Sequence, residues 1–446
     1  MRKKVLDMFR TGDGKLHLLT FLLVCGIFVC TGLCNGMIDS LNKHFQNSFA
    51  VSKAKSAFVQ FFWYIAYFLL ALPSGWYARR FGYKAGIITG LGLVVFGSLI
   101  VYPAAAINTF WAFMVVLFII ATGLTFLEAI ANPYATVLGP PDYGVARINF
   151  AQTCNAVGWI IGPSVVGWFV LSGTAVANTS NSNLYIPYLI VAACVGLLAL
   201  TFCFAPVPDL QPKDESIASA DGQTSQRSLF TEWHFVLAIA AQFLYTAGQT
   251  GIFSFFINYV KECSPLIPQT FAGVVADHFP DGIIMDGRIT DKGAATLLSL
   301  GGFSLFLLGR FIGSLILRVA KSHITLGIYA SINVLLMIVI VGGKGNGWLA
   351  VGALLLSFFF MSIMYPTIFA LGIRGLGART KLAASFMVMA ILGGALGPLI
   401  MGMMGERHMF AGFLMPLICF VGIMFYGFIW PRFYCRAGNS NKDGDV

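Results

Sequence analysis

Apolar residues in this chain come in long unbroken stretches. They fall at about 17–42, 56–78, 84–105, 110–138, 146–171, 184–206, 233–260, 294–318, 323–342, 347–373, 382–404 and 410–431. Each is near the ~20 residues that a helix needs to cross a ~30 Å hydrocarbon core. The apolar–polar alternation of a membrane β-barrel strand is missing. The pattern predicts an all-α integral membrane protein with twelve transmembrane helices.

One internal stretch breaks the rhythm. Residues 206–231 are rich in Ser, Asp, Gln and Pro and carry no apolar period. They read as a flexible linker. The chain then divides into an N-terminal six-helix bundle (1–206), a cytoplasmic linker (207–231), a second six-helix bundle (232–432) and a tail (433–446). The halves echo each other. Pro133 and Gly139 are matched by Pro366 and Gly372, Gly162-Pro163 by Gly397-Pro398, and Gly75 with Arg80 by Gly313 with Arg318. Corresponding Pro and Gly positions in two halves mark repeat-built secondary transporters, and predict two pseudo-symmetric bundles.

Composition excludes a soluble chain. Of 446 residues, 58% are hydrophobic and only 10% charged, against ~25% charged in soluble domains. The formal charge of +10 is scattered over short loops. It forms no dense basic patch, so a nucleic-acid partner is not expected. With both termini placed in the cytoplasm, nineteen Lys/Arg fall inside and eight outside, with Arg310 within a span. This asymmetry obeys the positive-inside rule. Arg2, Lys3, Lys4, Arg10 and Lys15 resemble a signal-peptide head, but the apolar run that follows is too long and lacks a cleavage site. It is kept as the first span. Seven of nine cysteines lie in spans and none forms a C-x-x-C, so neither disulfides nor a metal site is expected. The six histidines fall in loops or at span ends, which argues against a histidine proton relay. The 261–292 loop, with Asp277, Asp281, Asp286 and Asp291, reads as a solvated outer loop packed over the mouth.

Chemistry then rests on few groups. Glu128 and Asp39 are the acids placed well inside apolar runs, and an ionisable group there is functional by default. Glu128 lies eleven residues from Gly139, or ~16 Å, near mid-membrane. Asp39 is only four residues from Lys43, in the outer third unless the helix runs on past the core. A carboxyl group removed from water is costly to ionise. Such a group can take a proton on one side and release it when the site opens to the other. Amides flank these acids: Asn35, Asn132, Gln152 with Asn155, and Gln242 with Gln249, each pair on one helix face. Amides both donate and accept, which suits sugar hydroxyls, although each could equally bridge helices. Trp63, Tyr67, Trp159, Phe303, Phe306 and Tyr365 could stack on a pyranose or simply pack. Arg310 either faces the cavity or braces the inner half against a helix end or a carboxylate, with bracing favoured. No G-x-x-x-x-G-K-[ST], G-x-S-x-G or H-E-x-x-H occurs, so an ATP-driven pump and the corresponding hydrolases are excluded. Energy must come from a gradient.

The loop GWYARRFGYK at 75–84 resembles the span 2–3 signature of the major facilitator superfamily, with Arg79 where an acid is usual. LEAIANPYATVLGP (127–140), RINFAQTCN (147–155), MSIMYPTIFALGI (361–373), YKAGIITGL (83–91) and AQFLYTAGQT (241–250) resemble the fucose–galactose–glucose:proton symporter family. The likeness covers nearly the whole chain. It implies the major facilitator fold, an inner-membrane sugar importer, proton-linked carboxylates at Glu128 and Asp39, and sugar-contacting amides at Gln152 and Asn155. Gly36, beside Asn35, stands where L-fucose symporters carry a second Asn.

The expectation is a non-enzymatic importer of a neutral monosaccharide (fucose, glucose/galactose or N-acetylated hexosamine class) in a bacterial inner membrane, acting as a monomer by alternating access. The coupling ion is a proton, with sodium possible, and no other cofactor is expected. Glu128 and Asp39 couple. Gln152, Asn155, Asn35, Asn132, Gln242, Gln249, Trp63 and Tyr365 hold sugar. Arg79, Arg80, Arg310 and Arg318 serve the inner gate. The alternatives are a sodium-coupled sugar symporter, a drug or metabolite:proton antiporter, and a sugar sensor that moves nothing.

Overall fold

A computed structural model describes residues 17–139, 144–170, 185–205, 229–268, 282–317, 320–342, 347–374, 376 and 380–436. Its spans are α1 Leu18–Phe49, α2 Lys53–Ala78, α3 Arg80–Ile107, α4 Phe110–Val137, α5 Gly144–Phe169 and α6 Tyr185–Phe204. They continue as α7 Trp233–Cys263, α8 Asp291–Gly313, α9 Ser322–Gly342, α10 Gly347–Ile373, α11 Phe386–Met404 and α12 Met409–Tyr434. Eleven are apolar and long enough to cross a bilayer. The twelfth, α5, has 26 residues but carries Arg147, Gln152 and Asn155. The expected all-α membrane architecture holds.

Small residues set the packing within each half. α1 packs on α5, and α7 on α11. A Cβ on Gly32 would strike the Asn155 carbonyl, and one on Gly158 the Val29 carbonyl. A Cβ on Gly162 would come within 2.6 Å of Met37 N and 2.7 Å of Leu33 O. In the other half, Gly393 meets Phe243 O, and Gly397 meets Ala247. The Gly-Pro motifs that echo each other in sequence therefore make equivalent contacts. Gly36 belongs to the same seam, since its Cβ would lie 2.8 Å from Trp159 O and 3.2 Å from Pro163 Cδ. An Asn side chain has no room there while α1 and α5 touch. The α2–α3 junction turns at Gly82, whose φ of 87° and ψ of 165° suit glycine.

Several ends depart from expectation. α1 runs on to Phe49, so Lys43 lies in the helix, not in a loop, and His44 is 1% exposed inside α1. α8 begins at Asp291 and thereby includes Lys292. The 261–292 segment is not simply solvated. Asp291 is 6% exposed, pairs with Lys261 at 2.8 Å and accepts from Asn47 Nδ2 at 2.9 Å. Ile284–Met285 and Arg288–Ile289 form a hairpin turned by Asp286 and Gly287, both at positive φ. Asp277, Asp281, most of the linker and Arg318 lie outside the described residues. The last helix continues to Arg436, past the expected start of the tail.

The halves are latched at the end where α1 finishes, the Phe49 end. Lys53 pairs with Glu262 at 3.5 Å and donates to Gly405 O at 2.8 Å. The Glu406 carboxylate accepts the backbone N–H groups of Lys53 and Ala54, at 3.2 and 3.1 Å. Asn258 Nδ2 donates to Gln46 Oε1 at 2.6 Å. Deeper in, Ser164 Oγ donates to Ser299 Oγ at 2.8 Å, and Ser299 to the Ile160 carbonyl.

The seam predicts a contrast between two glycines. Gly162→Ala forces backbone apart and should destabilise the purified protein by about 1–3 kcal/mol. Gly75 has nothing within 4 Å of its Cβ position, and Gly75→Ala should stabilise by about 0.5–1 kcal/mol. Thermal unfolding in detergent reads both.

Candidate transport site

A cavity of about 230 Å³ lies between the halves. The first half gives it a polar wall built around Glu128. Asn35 Nδ2 and Tyr67 Oη donate to the same oxygen, Glu128 Oε1, at 3.2 and 3.1 Å. Trp63 Nε1 donates to Asn35 Oδ1 at 2.9 Å, which turns the Asn35 amide toward the carboxylate. Asn132 Nδ2 donates back to the Glu128 carbonyl at 2.8 Å, and its Oδ1 receives Gln152 Nε2 at 3.0 Å. Residues from α1, α2, α4 and α5 thus form one hydrogen-bonded row. Asn155 also lines the cavity, but its Nδ2 donates to Phe28 O and Thr31 Oγ1 at 3.1 and 3.0 Å. This amide braces α5 on α1.

The second half supplies aromatic groups and irregular helix. Phe303 and Phe306 line the cavity from α8, Tyr245, Gln249 and Phe253 from α7, and Tyr365 from α10. Trp159 crosses from α5 to meet Phe253 and Phe303, with ring centroids 5.6 and 5.2 Å apart. Three of the cavity-facing helices here depart from α geometry close to the site. α8 has a π turn at Leu297–Phe303, α10 breaks at Ser362 and Ile363, and α11 tightens to a 3₁₀ turn at Ala390–Leu392. Such irregularities collect at functional sites.

The expected residues separate under this geometry. Asn35, Glu128, Asn132, Gln152, Asn155, Gln249 and Tyr365 line the cavity. Trp63 does not, and acts on Asn35 from behind. Gln242 is fully buried beside Tyr365, outside the lining. It shares a face with Gln249 but lies seven residues away, which is ~10 Å along the axis. Asp39 sits one turn beyond Asn35, 2% exposed and off the cavity, with Tyr64 neighbouring both acids. Arg310 takes the cavity-facing one of the two placements left open. Its guanidinium lies 5.0 Å from the Phe306 ring one turn away. The stacking holds the side chain along the cavity face of α8. Arg80 stacks on Trp76 and Phe81 at 5.6 and 5.7 Å. The side chain of Arg79 is outside the described structure. Tyr64, Tyr245, Thr246 and Thr250 were missed as lining, because a hydroxyl in an apolar span has no periodic signal of its own.

The sequence matches the Major Facilitator Superfamily over residues 24–398. The chain belongs to the major facilitator superfamily. It is 33% identical to the L-fucose-proton symporter of Escherichia coli K12, over 96% of each chain. It is 30% identical to a glucose/galactose transporter of Brucella abortus, over 91% of this chain and 92% of that one. Among solved structures, the transporter FucP in an outward conformation matches at 32% identity and a TM-score of 0.64, over 93% of this chain and 99% of that chain. The resemblance to fucose–galactose–glucose:proton symporters is borne out. This superfamily member is a multi-span membrane protein with a transporter fold.

The two amides of α5 should separate in their effects. Asn155→Ala removes two donor contacts at the α1–α5 seam and should cost about 1–3 kcal/mol of stability. Gln152→Ala removes a single side-chain hydrogen bond, to Asn132 Oδ1, and should cost less, about 0.5–1 kcal/mol. Thermal unfolding of the purified variants checks the split.

Proposed function

We propose that the chain imports a neutral monosaccharide by proton symport, through alternating access of the cavity to the two sides of a bacterial inner membrane. The observation that carries this reading is the carboxyl group of Glu128 at the centre of an amide row, opposite aromatic rings. Gln152, Asn132, Asn35 and Gln249 offer donors and acceptors for sugar hydroxyls. Tyr365, Phe303 and Trp159 offer apolar faces for a pyranose ring. The relatives support the substrate class and the coupling, being named as fucose–proton and glucose/galactose transporters.

The proton is carried by Glu128. Both side-chain donors meet Oε1, which leaves Oε2 to take a proton within reach of a bound sugar. A neutral carboxyl group then donates to a hydroxyl that the carboxylate would only accept from. Proton and sugar thus favour each other at one site, as symport requires. The termini lie in the cytoplasm by the distribution of Lys and Arg, so the latched Phe49 end faces outward and the outer mouth is closed. The monomer is the working unit, because one chain holds both halves of the site. No chemical step is involved.

In proteoliposomes, a pH gradient should drive accumulation of one sugar from a panel of fucose, glucose, galactose, mannose and N-acetylated hexosamines. Collapse of the gradient should abolish it. Glu128→Gln should lose uphill uptake and keep sugar exchange, and unchanged accumulation in that variant would overturn the coupling role. Gln152→Ala should weaken sugar affinity about tenfold, the loss of one buried hydrogen bond of ~1.5 kcal/mol. Equilibrium binding of the radiolabelled sugar to the purified protein measures it.

A further inference from the structure

Helices α9 and α12 cross where two glycines leave no side chain between them. A Cβ on Gly427 would come within 2.7 Å of Gly327 N and 3.0 Å of His323 O, and one on Gly327 within 2.8 Å of the Phe428 ring. The outer face of this pair carries two stripes side by side. Lys321, just before α9, is followed at i+3 and i+7 by Ile324 and Ile328. On α12, Phe425 is followed at the same spacing by Phe428 and Arg432. Each set therefore lies on one helix face, and all of these side chains are exposed. Arg432 lies five residues past Gly427, and Lys321 two residues before His323. At 1.5 Å per residue these are ~7 and ~3 Å, so the two cations end at a similar depth, at the end opposite Phe49.

A fixed platform backs these cations. Trp430 Nε1 donates to the Leu371 carbonyl at 3.2 Å, and the Trp430 ring stacks on Tyr434 and His323 at 4.6 and 5.5 Å. The Arg374 guanidinium lies over Tyr434 and Trp430 at 5.5 and 5.9 Å. Lys321 and Arg374 both act electrostatically on His323. Among the described residues of the second half, Glu262, Asp286, Asp291 and Glu406 stand toward the Phe49 end, and Glu232 is the one acid at this end. Aromatic rings beside fixed cations mark the level where headgroups lie, and clustered cations there attract anionic lipid. The apolar stripes below offer contact to acyl chains, which a free phosphate lacks. We propose that the α9–α12 face binds one anionic phospholipid. Its phosphate sits between Lys321 and Arg432, and its chains run along Ile324, Ile328, Phe425 and Phe428. This site is on the outer surface of the second half and does not depend on the sugar reading.

The test uses the purified full-length chain in detergent, stripped of lipid and without sugar. Thermal unfolding would be followed as phosphatidylglycerol, phosphatidylcholine or glycerol 3-phosphate is added. Phosphatidylglycerol should raise the midpoint saturably, as a ligand of the folded state does, with the other two well behind. Loss of one Lys or Arg beside a headgroup weakens binding about fivefold. Lys321→Gln and Arg432→Gln should each show that loss and the pair about 25-fold, while Lys321→Arg keeps the affinity. Both positions are exposed, and the variants should keep the unsubstituted midpoint when no lipid is added. Equal responses to the two lipids would mean general lipid contact and overturn the site. A response to glycerol 3-phosphate as strong as to the lipid assigns the cations to free phosphate and overturns the lipid. A phosphatidylglycerol response unchanged in the double variant places the lipid elsewhere and also overturns the proposal.

Discussion

An ionisable group in the middle of an apolar bundle organises the first half of this protein. An ion withdrawn from water must be repaid by hydrogen bonds, and the groups that make them must be oriented in turn. Tyr67 and Asn35 meet the Glu128 carboxylate, Trp63 turns Asn35, and Asn132 folds back on the Glu128 carbonyl. Each helix of the polar wall is thereby tied to the same few atoms. The row is also directional. Because Asn132 spends its amide N–H groups near Glu128, its oxygen is free to hold Gln152. A sugar that displaces Gln152 disturbs a chain ending at the backbone carbonyl of Glu128.

That wall stays in place because α1 and α5 touch at glycines. Membrane helices gain no hydrophobic association energy from lipid, so close backbone approach and interhelical hydrogen bonds hold them together. Gly32, Gly36, Gly158 and Gly162 provide the approach, and Asn155 provides the bond. α7 and α11 repeat the arrangement with Gly393 and Gly397. The halves then diverge. The first keeps regular helices around its polar row, and the second has a π turn, a break and a 3₁₀ turn facing the cavity. A stiff polar wall opposite a deformable aromatic one can grip a small neutral ligand and still change shape.

The spans were legible because each must be apolar over about 20 residues, a constraint that few sequences meet by chance. Glu128 and its amides were legible because polar groups in such spans are expensive. Depth was harder. Gln242 and Gln249 share a helix face, yet only one reaches the cavity, because periodicity reports direction and not distance along the axis. Asp39 was placed near an interface from its spacing to Lys43, but α1 continues to Phe49 and the acid is enclosed. The roles of Trp63 and Arg310 depended on tertiary neighbours, Asn35 for one and Phe306 for the other. The π turn of α8 has no signature in an apolar sequence.

Polar contacts between the halves gather at the Phe49 end, and this bears on how closure is controlled. A ligand shifts a conformational equilibrium only by its differential affinity for the two states. Glu128 and its row belong to one half, so a proton there senses closure only through what the opposite wall adds: Arg310, Tyr365 and the sugar between. Asp39 is different. The groups around it come from both halves, Gln60 from the first and Ser254 from the second, and separation of the halves removes Ser254. The two carboxyl groups, one turn beyond Asn35 and one beside it, thus differ in place: Glu128 faces the cavity from within one half, and Asp39 is enclosed where the halves meet.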